Sequence, residues 1–294
     1  MKITFQRIYT SDGIELHGIL YMPIEKTQRV LLHIHGMGGN FYENKFIDYL
    51  TQTLTDSGIA FCVFNNRGAE LVKDFIKIPE NSTVRIGSAY EKFEDCLIDI
   101  KTYIDYLEHL GFDNIHLSGH SLGSPKVAYY VSKTGDKRIR SISFISPSDM
   151  LGLVRQNKKS FQEDLTEARK LVENNEGNKL LSRQVWDQYP ISANTYLSLF
   201  EDNSEASIFN FYNLEDSFEV LKKIKVPVFA IMGRKDDALV VSIEETFSKL
   251  KLVLSSCPLV ETKILGEATH GYRGYEQLLA DEIKKWINAL YVSK

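Results

Sequence analysis

A serine flanked by glycines, Gly119-His120-Ser121-Leu122-Gly123, follows a short apolar run and precedes a helical pattern. Such a strand-to-helix turn brings neighbouring backbone so close that a side chain at either glycine would collide, and it lifts the central side chain to the apex. A serine hydroxyl attacks a carbonyl only when a base removes its proton. His270 is the best base, because Gly266-Glu267-Ala268-Thr269 carries it clear of the apolar run at 260–265. The base needs an acid to orient it. Val226-Pro227-Val228-Phe229-Ala230-Ile231-Met232 runs straight into Gly233-Arg234-Lys235-Asp236-Asp237, which makes Asp236 the first choice and Asp237 its rival. Two adjacent aspartates cannot share one pocket without like-charge repulsion. Asp149, just past the run at 142–145, is a third candidate.

The developing oxyanion needs amide donors. The Leu122 amide opens the helix after the serine and faces that position. The second donor is the Met37 amide in His35-Gly36-Met37-Gly38-Gly39, where glycines let backbone pass beside a substrate. Other readings of the same residues fail on pattern. A P-loop would end in Gly-Lys-Ser/Thr, and a dinucleotide loop would place a third glycine where Phe41 stands. His33 and His35 share a strand face but have no acidic or cysteine partner at ligand spacing, so neither a metal nor a cofactor is expected. His120, beside the nucleophile, is expected to pack or hydrogen-bond rather than act as base.

These residues need a scaffold that holds them at one edge. Apolar runs at 29–35 and 59–64 are dense, as in strands covered on both faces, and follow a hairpin over 3–9 and 14–21 turned at Ser11-Asp12-Gly13. Helical periodicity covers 42–56 and 88–110; the latter places Phe93, Leu97, Ile100, Ile104 and Leu107 on one face, with Ser88 and Glu91 at capping-box spacing and Gly111 as the stop. Further strands at 142–145, 226–231 and 260–265 alternate with helices at 122–133, from Ser242, and at 275–291. This alternation predicts an α/β fold with a mostly parallel central sheet and helices on both faces. Residues 151–217 interrupt it with mainly helical patterns at 161–172 and 180–200, predicting a helical cap inserted between core segments 1–150 and 218–294. Trp186, Tyr189, Tyr196 and Phe200 either line that cap or pack its helices.

The chain has 294 residues, 43% apolar and 25% charged, with formal net charge -4 and no basic block. This balance gives no support to nucleic-acid binding. No run approaches the ~20 apolar residues of a membrane-spanning helix. No secretory signal is evident at the start, and Cys62, Cys96 and Cys257 have no CxxC spacing, so a cytoplasmic setting is expected. Oligomeric state leaves no pattern.

Taken together, these residues resemble the α/β-hydrolase superfamily. The matching segments are Thr10-Ser11-Asp12-Gly13-Ile14-Glu15-Leu16-His17-Gly18, His35 to Gly39, Asn66-Arg67-Gly68, Gly119 to Gly123, Gly233 to Asp236 and Thr269-His270-Gly271, in Ser, Asp, His order. The shape of the chain is similar to a capped, esterase-like branch. The resemblance implies Ser121 as nucleophile, His270 as base, Asp236 as orienter, and the Met37 and Leu122 amides as oxyanion hole. Asn66 departs from the commoner aspartate before Arg67-Gly68, a change in a loop rather than in the chemistry. The implied activity is hydrolysis of a small or medium carboxylic ester through an acyl-enzyme. Amide, peptide or thioester hydrolysis on the same fold, or a binding protein that has lost turnover, are the alternatives.

Overall fold

The structure, a computed structural model, describes residues 1–213 and 215–292; Leu214, within the expected cap at 151–217, lies outside the described residues. Strands β1 (Lys2–Tyr9) and β2 (Glu15–Met22) form the expected antiparallel hairpin. β2 pairs antiparallel with β4 (Ala60–Phe64), and β4 lies parallel to β3 (Arg29–Ile34). β7 (Asn114–His120), β8 (Ile139–Ile145), β9 (Val228–Met232) and β10 (Val260–Ile264) continue in parallel. The resulting eight-stranded order is β1-β2-β4-β3-β7-β8-β9-β10. A separate two-stranded ribbon, β5 (Lys73–Lys77) with β6 (Ser82–Ile86), escaped the sequence reading. Little of its apolar surface is sunk in the core beyond Phe75 and Ile86, so its strands lack a clear alternating pattern.

The two-residue period of a strand sends alternate side chains to opposite faces. On β3, Val30, Leu32 and Ile34 join one core while Leu31 joins the other. The second core is closed by α1 (Phe46–Asp56) and α9 (Glu276–Val292), with Trp286 stacked on Phe229 at 5.5 Å between centroids. The opposite core is closed by α2 (Cys96–His109), α3 (Gly123–Thr134) and α8 (Ile243–Val253). Burying each such large apolar side chain contributes about 1.5–3 kcal/mol. Between β8 and β9 the chain adds α4 (Met150–Arg155), α5 (Lys158–Glu173) and α6 (Ala193–Phe200), then a short α7 (Glu219–Lys222). No helix among the described residues is long and apolar enough to cross a membrane.

Two expected helix boundaries are corrected. The capping box from Ser88 to Glu91 does not form, and α2 begins only at Cys96 after a 3₁₀ turn, Phe93–Asp95. Backbone strapping explains it: the Ser88 and Ala89 amides donate to the Glu70 and Leu71 carbonyls, and the Glu91 carboxylate is taken by Lys126. The expected helix over 180–200 shrinks to α6, because Pro190 has no amide to donate and disfavours helix in the residue before it. Its upstream half is irregular, with Val185 bridged to Tyr189 across Trp186 and Asp187, both at positive φ. The capping box from Ser242 to Glu245 does form.

Candidate active site

β7 ends at His120 and α3 begins at Gly123, leaving Ser121 on the turn with φ +54. A non-glycine residue in that region costs on the order of 1–3 kcal/mol and persists only where its surroundings enforce it. Here they do. The Ser121 amide donates to the Ile145 carbonyl at 3.1 Å, and Ser124 Oγ donates to the Gly119 carbonyl at 2.6 Å. A Cβ on Gly119 would sit 2.2 Å from the Gly123 carbonyl oxygen, and one on Gly123 2.2 Å from that of Ile34. Ser121 Oγ shares a hydrogen bond with Ser148 Oγ at 3.2 Å.

Asp236 follows β9 and His270 follows β10. Their loops are laced together, the Arg234 and Lys235 amides donating to the Gly266 and Ala268 carbonyls. His270 Nδ1 lies 2.9 Å from Asp236 Oδ1, which also accepts the Ala238 amide at 3.0 Å. The Asp236 side chain is fully buried while that of His270 is 30% exposed. Burial alone pushes the Asp236 carboxyl up, but the hydrogen bond and charge of His270 prevail and hold it below its ordinary value. His120 Nε2 donates to the His270 carbonyl at 2.9 Å, and the two rings lie 4.8 Å apart. Burial pushes His120 down to about 3, so it is neutral there.

The other two acids point elsewhere. Asp237 is exposed, although ligand atoms of Asp236, Asp237 and His270 fall within 4.8 Å of one another and could meet a cation. Asp236 Oδ1, however, already faces two donors. Asp149 caps α4 through the Gly152 amide at 2.9 Å and accepts the Tyr212 amide at 2.9 Å. Both its oxygens are thus committed to backbone, tying the start of α4 to Tyr212, and burial pushes its carboxyl up to about 6.

His35 to Gly39 leave β3 beside the serine, where a Cβ on Gly36 would lie 2.7 Å from Ser121 Cβ. His35 Nδ1 donates to the Gly36 carbonyl at 2.8 Å, and Nε2 accepts the Asn66 amide at 3.1 Å. Burial pushes this imidazole down to about 3, which preserves that tautomer. Among the described residues, the Met37 and Leu122 amides donate to no protein acceptor. Buried amides are nearly always paired, so two free ones flanking a serine are a feature to explain. Tyr189, between α5 and α6, and Leu71 close over Gly38, within 3.2 and 3.3 Å of where its Cβ would be. Of the other aromatics, Tyr196 and Phe200 are packed in the core and Trp186 is exposed.

A family model described as the alpha/beta hydrolase fold matches residues 29–270. The chain belongs to the alpha/beta hydrolase family. Est1E from Butyrivibrio proteoclasticus, solved with ferulic acid bound, superposes on this α/β hydrolase with TM-score 0.67 and 20% identity, covering 98% of this chain and 100% of that one. An esterase of Pyrococcus furiosus, Pf2001, gives 0.60 at 18% identity, covering 98% and 90%. The carboxylesterase CesB from Bacillus subtilis gives 0.57 at 16%, covering 100% and 93%. No curated protein matches the sequence.

In this α/β hydrolase the chemically capable groups sit at the carboxyl ends of neighbouring parallel strands, where ligands of open α/β sheets bind. Three residues there escaped the sequence reading: Ser148, bonded to Ser121, and the bonded pair Ser146 and Tyr272, which interact with Asp236. Their signal was position. Ser146 and Ser148 directly follow β8, the strand next to that of Ser121.

Proposed function

We propose that this α/β hydrolase cleaves a small or medium carboxylic ester by way of an acyl-enzyme on Ser121. The observation that carries the reading is the 2.9 Å pairing of His270 Nδ1 with buried Asp236, which leaves Nε2 as the ring nitrogen available to a proton. In the first step His270 Nε2 takes the Ser121 proton as Oγ bonds to the ester carbonyl carbon. The carbonyl oxygen becomes an oxyanion facing the Met37 and Leu122 amides, each such donor typically contributing ~3 kcal/mol to the transition state. Asp236 holds the imidazolium, which protonates the departing alcohol as the C–O bond breaks. Water, deprotonated by the same nitrogen, then attacks the acyl carbon and releases the acid and Ser121.

An ester leads because alcohols leave more readily than amines. Esterases among the superposed structures agree with this, and Tyr189 and Leu71 over Gly38 narrow the approach to the oxyanion loop, which favours a compact acyl group. We read residues 151–217 as a cap, stapled at both ends through Asp149. Three free cysteines, two of them buried, agree with a reducing, cytoplasmic setting. The test is a series of p-nitrophenyl esters of two to eight acyl carbons together with a fluorophosphonate probe. Wild-type protein should turn over the short esters and be labelled on Ser121. Folded protein that does neither is a binding protein on this fold.

A further inference from the structure

Asp236 Oδ2 is buried and, among the described residues, has no hydrogen-bond partner, although Oδ1 has two. A buried carboxylate oxygen without a donor is costly, so a donor within reach is to be sought. Ser146 and Tyr272, both fully buried, lie close enough to act on its charge. Ser146 Oγ donates to Tyr272 Oη at 2.8 Å, and Tyr272 Oη donates to the Ile231 carbonyl at 3.0 Å. That carbonyl also accepts the Ser146 amide at 2.8 Å. Tyr272 therefore already has an acceptor for its own proton, and it does not depend on the proton it accepts from Ser146. Ser146 also faces Asp236 closely enough to favour its ionised form.

Backbone geometry marks the same residues, although Glu70, Asn81, Asn175, Trp186, Asp187 and Phe218 also have positive φ elsewhere. Ser146 has φ +48 and Tyr272 φ +54, alongside Ser121 at +54. Strained non-glycine backbone gathered around one site is the pattern expected where position matters to function.

We propose that the Ser146 hydroxyl is an exchangeable donor shared between Tyr272 and the second oxygen of Asp236, and that it sets how strongly Asp236 holds the His270 proton. This deepens the ester-hydrolase reading and rests on it. When His270 is neutral, the hydroxyl points to Tyr272. As the imidazolium forms, rotation about the Ser146 Cα–Cβ bond brings the hydroxyl to Oδ2. Ser146 is a positioning residue acting through Asp236; no bond is made or broken at its oxygen. The other groups facing the pair are His120, neutral and bonded to the His270 carbonyl, and the exposed carboxyl of Asp237.

The test titrates the His270 ring by NMR in wild type, Ser146→Gly and Tyr272→Phe. Glycine at φ +48 relieves strain, so loss of the hydroxyl is not confounded with unfolding. Without that donor Asp236 draws the His270 proton harder, and the midpoint should rise by about half to one pH unit. Tyr272→Phe removes the competing acceptor, frees Ser146 for Asp236, and should lower the midpoint by a similar amount. Its phenyl ring keeps the edge contacts to Phe46 and His120, and the Ile231 carbonyl keeps the Ser146 amide. Opposite shifts establish the sharing; no shift, or shifts of one sign, overturns it. Because the readout is a proton, not turnover, it stands apart from the hydrolase reading, which fails instead if Ser121→Ala retains esterase activity.

Discussion

Glu91–Lys126 and Asp236–His270 are both acid–base pairs with a buried carboxylate, and they differ in what they leave open. Glu91 and Lys126 meet at 2.6 Å with both side chains 1% exposed, and Lys126 also donates to Asn66 Oδ1 at 3.3 Å. Asp236 and His270 meet at 2.9 Å with the acid sealed but the ring 30% exposed. The sealed pair ties the segment before α2 to α3 and gives a proton no exit. In the other pair the base is a two-nitrogen ring, one nitrogen held by the acid and the other free to face a substrate. Burying an acid–base pair produces structure; exposing one end of it makes chemistry possible.

The sharpest break in this comparison comes from the exposed side. Ser121→Ala should lower kcat/KM for a short p-nitrophenyl ester by roughly 10⁴-fold or more while thermal unfolding is unchanged or improved, since only the hydroxyl is removed. Asp236→Asn should keep the fold and lower kcat by up to ~10⁴-fold, because the amide can favour the wrong imidazole tautomer. An equal loss in Asp149→Asn, with Asp236→Asn near normal, would assign the acid elsewhere.

On the sealed side the expectation reverses. Lys126→Met leaves Glu91 charged and unpaired, and urea denaturation should show a loss of about 3–5 kcal/mol. Activity per folded molecule should change far less than in Asp236→Asn. Were the two variants to behave alike, the distinction between the pairs would fail.

Acid provides a finer probe of the sealed interior. Burial pushes His35, His116 and His120 down to about 3, and His33 well below its ordinary value. The unfolded chain takes up these protons near pH 6.5 while the native state refuses them. Stability should therefore be full above about 6.5 and fall as pH drops toward 3, by on the order of 1–2 kcal/mol per histidine at about pH 5. Asp149, raised to about 6, works the other way, because the native state binds its proton more tightly than the unfolded chain. Urea midpoints across pH should thus fall less steeply in wild type than in Asp149→Asn. The smallest effect concerns neither pair: Ser242→Ala removes the capping box of α8 and should cost about 1 kcal/mol in thermal melts without touching activity.

How much of this was legible in the string depended on how local the signal was. The dense apolar runs at β3, β4 and β9 and the glycines around Ser121 announce themselves, since burial on both faces and backbone crowding act on adjacent residues. The Ser242 cap formed as read, with the Glu245 carboxylate held by the Ser242 amide and hydroxyl. Its counterpart at Ser88 did not, because Lys126, 35 residues on from Glu91, takes the carboxylate that the cap required. Pro190 explains the shortened α6 and was visible, but the helical composition around it outweighed it. The ribbon β5–β6 buries too little to print a pattern.

The order of strands and helices, the parallel sheet and the choice of Ser121 and His270 as candidates were determined by the sequence itself, because each follows from residue type and near-neighbour spacing. Only the tertiary structure decided that Asp236 rather than Asp149 faces His270, that Ser148 touches Ser121, and that Ser146 and Tyr272 interact with the acid. Those pairings join loops from different strands. Their geometry is set by sheet register and by which buried carboxylate finds a ring rather than a backbone amide, and neither quantity is written in any contiguous stretch of residues.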